Sequence, residues 1–451
     1  MEPPTEEPDA GNPHVRFCEG PQRSTAAEVY LMLWAATFKR CAALIWVAAL
    51  AAQVPVYAAT YYVSQSGNDG NSCESAQSTT PSLQKGTLSA GVACLSAGDT
   101  LWIRGGTYTG SLNVIDSQTF RVPSATSWLN PVTIGGFPGD SVTLVPPYNV
   151  SGIRLTTGAP SYLIIQDLSI DMQNSSAGSD ADAVYLHTAH HNRLLRLEVK
   201  NSWNSGIHFG NDTSFNEVLG CRIHDNGDAA NGPPWGHGLY ITASDNLFEN
   251  NSVYDNEGYG FHIYNNHGPH LDPSRNVVRN NRVYGNGVHH SQGFGLVIAW
   301  GTENQVYNNL FYGNRAGISV YTDASNSTVY NNTVYGNVSE GIALQYYGSG
   351  LTIRNNISYG NGINLVDNGG SETPTIDHNV TSDPNFVNAA AHDFALRAGS
   401  SARDTGLAIP TLINDFIYTR RPQGSGYDVG AFEASVGASA PRAPQRLRIL
   451  Q

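Results

Sequence analysis

The sequence predicts an all-β solenoid: a chain wound into stacked coils of short parallel strands, with an N-terminal cap and a C-terminal closing segment. Two observations carry this. From residue 206 onward the chain restates one phrase, a glycine with alternating apolar positions, a polar turn, then Asn-x-Val-x-Asn-Asn-x-Val-Tyr-Gly-Asn. One half reads SGIHF at Ser205, HGLYI at His237, YGFHI at Tyr259, FGLVI at Phe294, AGISV at Ala316 and EGIAL at Glu340. The other half ends at Asn226, Asn256, Asn286, Asn314, Asn337 and Asn361, at intervals of 30, 30, 28, 23 and 24 residues. A fixed period of that size means a solenoid, and the longer intervals mark coils that carry insertions. Composition agrees: 14% charged residues and 47 glycines in 451 residues suit neither an ordinary helical enzyme nor an acidic disordered chain.

Each half-phrase alternates apolar and polar residues with period two, so each coil is several short strands. Asn251, Asn281, Asn309, Asn332 and Asn356 recur at one place in successive coils. Stacked side-chain amides there would satisfy polar groups that a tight inward bend otherwise buries unpaired. Cys221 takes the same place one coil earlier and reads as a buried stacking residue rather than a reactive thiol. Sequons such as those at Asn331 and Asn337 are by-products of the pattern.

The ends read differently. An apolar run from Cys41 to Ala59 follows Lys39 and Arg40 and closes on Val56 and Ala58, the small-residue spacing of a secretory signal. Gln53 and Pro55 cut the run below the roughly 20 residues that span a bilayer, so no stable membrane insertion is expected. The expected organisation is an upstream extension at 1–31, a signal peptide at 32–59, the solenoid at 60–381, the closing segment at 382–436 and a tail at 437–451. Past the signal, Cys73, Cys94 and Cys221 remain, and in an oxidising compartment Cys73 and Cys94 are close enough to staple the cap. No Cys-x-x-Cys spacing suggests zinc. A net charge of −13 argues against nucleic-acid binding, which needs clustered Lys and Arg. A secreted monomer is expected.

With these features in place, the chain resembles the pectate-lyase-like superfamily of right-handed parallel β-helices, and more narrowly its secreted bacterial branch. YYVSQSGNDGNSC from Tyr61 and LSAGDTLWIRGGTYTG from Leu95 look like that branch's opening coil. SDPNFVNAAAHDFALRAGSSARDTG from Ser382 and RRPQGSGYDVGAFE from Arg420 look like its closing segment. The resemblance spans about residues 60 to 435 and implies a single-stranded right-handed parallel β-helix acting on an extracellular polysaccharide. It does not choose a reaction, because the superfamily holds lyases, glycosidases, epimerases, esterases and adhesins.

Adjacent rungs of such a helix lie about 4.8 Å apart, close to the length of one sugar ring. Counting from each coil's glycine, the first and third following residues point inward and the second and fourth outward. The outward second column runs Tyr185, His208, Tyr240, His262, Val297, Ser319 and Ala343, and the fourth adds His187, Tyr264 and Tyr321. His and Tyr both donate and accept protons and stack on sugar faces, so His208, Tyr240, His262 and Tyr264 are the catalytic candidates, with Tyr240 and His262 moving the proton. Insertions at Gly227–Gly236, Asn265–Pro273 and Gly287–Gly293 are placed to wall the column. They add Trp235, His267, His270, Asp272, His289 and His290, with His237 closing the first. Substrate-binding candidates are Tyr185, His187, Trp235, His237, His270, Asp272, Arg275 and Trp300.

β-Elimination of a uronic acid polymer needs a base for the C5 proton, an acid for the leaving oxygen, and neutralisation of the carboxylate. His and Tyr suit the first two, and Arg275 or Arg279 the third. YGFHIYNNHGPHLD at Tyr259 loosely resembles the Tyr-Gly-Phe-Asp-Pro-His pattern of mannuronan epimerases, with His262 in place of their Asp. Many pectate lyases of this fold use a Lys or Arg base with Ca2+ held by stacked acids. Asp225 and Asp255 occupy equivalent places on adjacent coils, with Lys200 one coil earlier and Asp180, Asp182, Asp212 and Asp228 as candidate neighbours for calcium. A non-catalytic, glycan-binding or adhesin-like β-helix is the rival reading, and a C5-epimerase or glycoside hydrolase a further one.

Overall fold

The computed structural model of the chain describes residues 58–156, 158–227, 236–265, 273–289 and 293–434. Three long parallel sheets form the body, one of 12 strands and two of 10. Each coil contributes one strand to each sheet in turn, as Leu247–Glu249, Ser252–Tyr254 and Phe261–Ile263 do for sheets 1, 2 and 3. The expected alternation holds in sheet 3: Ile207, Phe209, Leu239, Ile241, Phe261, Ile263, Leu296 and Ile298 point into the core and are fully buried. Phe209, Phe248 and Phe261 fill the middle, with ring centroids 5.3 and 5.9 Å apart.

The asparagine ladder is present, and it is one of three among the described residues. Asn251 Nδ2 donates to Asn281 Oδ1 at 3.0 Å, and the chain of bonds continues through Asn309, Asn332 and Asn356 to Asn379. A second links Asn226, Asn256, Asn286, Asn314, Asn337 and Asn361, and a third runs from Asn216 through Asn246 and Asn276 to Asn304. Cys221 heads the first as a buried free thiol that receives the Leu197 N–H at 3.4 Å, with burial pushing its pKa up to about 12.

The residue just before each ladder asparagine does different work. Asn280, Asn308, Asn331 and Asn355 have φ between 51° and 57°, the left-handed region that asparagine tolerates, and this turns their side chains outward. There they grip the closing segment: Asn280 Nδ2 donates to Phe416 O at 3.0 Å, Asn308 to Asn414 O at 2.8 Å, Asn331 to Asp428 O at 3.0 Å and Asn355 to Leu407 O at 2.8 Å. The segment therefore runs back along the corner between sheets 1 and 2. It is locked by an Arg421–Glu433 ion pair of 2.8 Å with neither side chain exposed.

At the other end, Cys73 and Cys94 form a disulfide, and the short helix Leu88–Val92 seats on the first strands through Gly91. A Cβ at Gly91 would stand 2.4 Å from Val63. The proposed signal, residues 32–59, lies outside the described residues except for its last two. Among the described residues no helix is long and apolar enough to cross a membrane.

Candidate functional site

Sheet 3 brings the expected column together. Consecutive strands pair Asp116 with Arg154, Arg154 with Tyr185, Tyr185 with His208, His208 with Tyr240, Tyr240 with His262 and His262 with Val297. Ring centroids step 5.0, 4.8 and 5.3 Å from Tyr185 to His208 to Tyr240 to His262. Tyr185, His208 and Tyr240 are half-buried and reachable, whereas His262 is 9% exposed and Val297, Ser319 and Ala343 are covered. The widely exposed part of the row therefore ends at Tyr240, with His262 at its edge.

A second set of side chains, from the residue just before each coil's glycine, or before Ala183 where that glycine would stand, reaches the same row. Strict alternation turns this position inward, but it sits on the corner that leads into sheet 3, and the bend swings its side chain out beside the column. Asp182 is the first. Its Oδ1 accepts the Ser205 N–H at 3.0 Å, and its Oδ2 lies 2.8 Å from His208 Nδ1. A carboxylate at this site only accepts, so His208 carries a proton on Nδ1, and in the neutral ring Nε2 keeps a lone pair. That Nε2 is covered and has no hydrogen-bond partner among the described residues.

His237 and Tyr259 follow in the same set. Burial lowers the pKa of His237 to about 3, and burial with His237 alongside holds His262 well below the ordinary histidine value, so both rings are neutral near pH 7. Tyr240 is shifted the opposite way: burial, then Tyr264 and Asp182, raise its phenol and keep it protonated. Tyr264 stacks on His262 at 4.9 Å and meets Trp300 edge-on at 5.2 Å. His187 lies 6.1 Å from Tyr185, in space left by Gly210, where a Cβ would come within 2.9 Å of its Nδ1.

Other expectations are corrected. Arg275 sits in the turn before the sheet 1 strand Val277–Arg279, forked onto Asp245 at 2.6 and 2.7 Å, and Arg279 lies on sheet 1, paired with Glu249 at 2.8 Å. Neither guanidinium stands in the row. Tyr321 keeps its expected outward place in sheet 3, in register with Gln345, where its ring meets Tyr346. His289 is exposed and bonds to Glu257 at 3.0 Å. Lys200 pairs in register with His224, not Asp225, and lies near Glu198 and Asp171. Asp228, Trp235, His267, His270, Asp272 and His290 fall outside the described residues.

The calcium candidates divide between two places. Asp180 and Asp182 lie ahead of the sheet 3 strand Val184–Leu186, with both Asp182 oxygens already engaged. Asp225 and Asp255 follow sheet 2 strands; Asp225 bonds His224 at 2.7 Å, and burial, then Asp225, raises the Asp255 pKa. Among the described residues no three His, Cys, Asp or Glu side chains gather to hold a metal.

Residues 61–372 match the family described as Pel9A-like, right handed beta helix region. The chain belongs to that family. Its fold is accordingly the right-handed parallel β-helix. The solved structure of pectate lyase Pel9A resembles it with a TM-score of 0.62 at 18% identity, covering 83% of this chain and 96% of that one. A structure described as a glycoside hydrolase resembles it with a TM-score of 0.54 at 11% identity, covering 76% and 99%. Identities this low establish a shared fold and leave the reaction open. Comparison with curated protein sequences returns no match.

Proposed function

We propose that this protein is a secreted lyase that cleaves an acidic, uronic-acid-containing polysaccharide by β-elimination on the open row of sheet 3. The observation that carries the reading is the contact series Asp182, His208, Tyr240: a carboxylate-held imidazole with a bare Nε2, beside a phenol kept protonated. His208 Nε2 takes the C5 proton as the C5–H bond breaks. That electron pair forms the C4–C5 double bond as the bond from C4 to the leaving oxygen breaks, and Tyr240 gives its phenolic proton to that oxygen. The proton on His208 then returns to the Tyr240 phenolate, which restores both groups. Because Nε2 is covered, substrate reaches it after a flanking tyrosine side chain turns aside, with the Asp182 contact to His208 kept.

The hydrolase alternative needs two carboxyls on one bond, roughly 5–9.5 Å apart. Among the described outward side chains of sheet 3 and its leading corner, Asp116 is bound to Arg154 and Asp182 to His208. Glu340 stands six rungs beyond Asp182, about 29 Å at the usual strand spacing. Lyase and epimerase share the first step and part at the product.

The test is ultraviolet absorbance of unsaturated product from polygalacturonate, pectin, alginate and glycosaminoglycans, with and without chelator. Product is expected from at least one polymer, and His208→Ala and Tyr240→Phe should each lose at least ~100-fold in kcat with binding retained. Glycan binding without product from any of them would give the adhesin-like reading instead.

A further inference from the structure

We infer that His237 and His262 form a relay of fixed tautomers, anchored on the Tyr259 backbone amide, which makes His262 a hydrogen-bond donor through Nε2–H to a substrate carboxylate. The carboxylate half rests on the proposed function; the tautomer half does not.

The relay follows from what each atom is able to do. A backbone N–H only donates, and that of Tyr259 lies 3.1 Å from His237 Nδ1, so His237 Nδ1 is a lone pair. Neutral His237 then carries its proton on Nε2. That nitrogen lies 3.2 Å from His262 Nδ1, which must accept it. The proton of neutral His262 is thereby placed on Nε2. Reversing either ring would bring two lone pairs or two N–H groups together within 3.2 Å.

The surroundings reinforce this neutral arrangement. His237 is 3% and His262 9% exposed, and the rings around them are Tyr240, Tyr259 and Tyr264, with centroids 4.6 to 5.3 Å from His262. None of these is a carboxylate that would favour an imidazolium. The contrast with His208, two rungs below in the same column, is complete. Asp182 puts the proton of His208 on Nδ1 and bares Nε2, whereas the relay bares nothing on His262 and presents Nε2–H.

One row thus carries an acceptor histidine and a donor histidine on either side of Tyr240. A neutral donor beyond the reacting pair suits an anionic oxygen, since an N–H to carboxylate bond is charge-assisted. In the elimination it faces the carboxylate whose negative charge grows as the C5 proton leaves. His237 is a positioning residue in this scheme.

The experiment is nitrogen-15 NMR on the full chain labelled at histidine, at neutral pH and without substrate. Signals are assigned by their loss in His208→Gln and His262→Gln. His262 is expected to show a protonated Nε2 and bare Nδ1, and His208 the reverse. A protonated Nδ1 on His262, or averaging between tautomers, would overturn the relay. In His237→Gln, with the fold checked by circular dichroism, the single His262 tautomer should give way to a mixture; an unchanged His262 signal would count against His237 as the anchor. Titration with sodium galacturonate should then shift the His262 Nε2–H resonance. A His262 signal that stays put removes the carboxylate assignment and leaves the relay standing. The tautomer pattern is read without turnover, so it survives if the lyase reading fails.

Discussion

Replacing Asn281 by Ala removes one rung of a buried ladder, and the cost can be worked from its bonds. Asn281 Nδ2 donates to Phe248 O at 3.0 Å, Arg279 O at 2.9 Å and Asn309 Oδ1 at 2.9 Å, while its Oδ1 accepts from Asn251 N at 2.9 Å and Asn251 Nδ2 at 3.0 Å. The alanine variant strands the Asn251 amide hydrogen and at least one carbonyl in a site that is fully buried. Orphaned buried groups cost about 1–3 kcal/mol each, giving a loss of about 4 kcal/mol. Asn379, at the half-exposed end of the same ladder, accepts from Asn356 N at 2.9 Å and donates to Ile353 O at 2.7 Å, but water replaces it there. Asn379→Ala should therefore cost about 1 kcal/mol. Urea unfolding by circular dichroism measures both, with equal slopes required before midpoints are compared. Equal losses for the two variants, or a loss under about 1 kcal/mol for Asn281→Ala, would refute the claim that burial sets the value of a rung.

Acid should weaken the fold in a defined window. His237 is lowered to about 3 and His262 well below its ordinary value, so the unfolded chain takes up their protons first as pH falls below about 6.5. Stability is present above that pH and lost below it, by up to ~1.4 kcal/mol per pH unit per histidine, and His237→Gln should flatten the slope measured between pH 6.5 and 5. Asp182→Ala should lower kcat more than it changes KM, because His208 loses the partner that holds its proton on Nδ1. A KM effect alone would make Asp182 a binding residue. The Cys221 thiol should resist alkylation until the chain unfolds, as read by mass spectrometry. Reducing Cys73–Cys94, whose sequence separation is 21, should cost about 3 kcal/mol and speed amide exchange in the first coil.

The sequence by itself determined the coil, the inward and outward columns and the first asparagine ladder, because all three follow from a period. Side chains two apart share a face, and residues one coil apart share a rung, so Tyr185, His208, Tyr240 and His262 were legible as one row. Only the tertiary structure decided what departs from the period. The corner residues Asp182, His237 and Tyr259 are turned beside the row by a bend that alternation does not describe; the one trace in the sequence is that a position called inward carries polar and aromatic groups. The outward asparagines of each doublet could not reveal the segment they hold, since Asn280 meets Phe416 across 136 residues. Whether a histidine in the row is a base or a donor is likewise a property of its neighbour, a carboxylate for His208 and a second imidazole for His262, and that neighbour is supplied by folding.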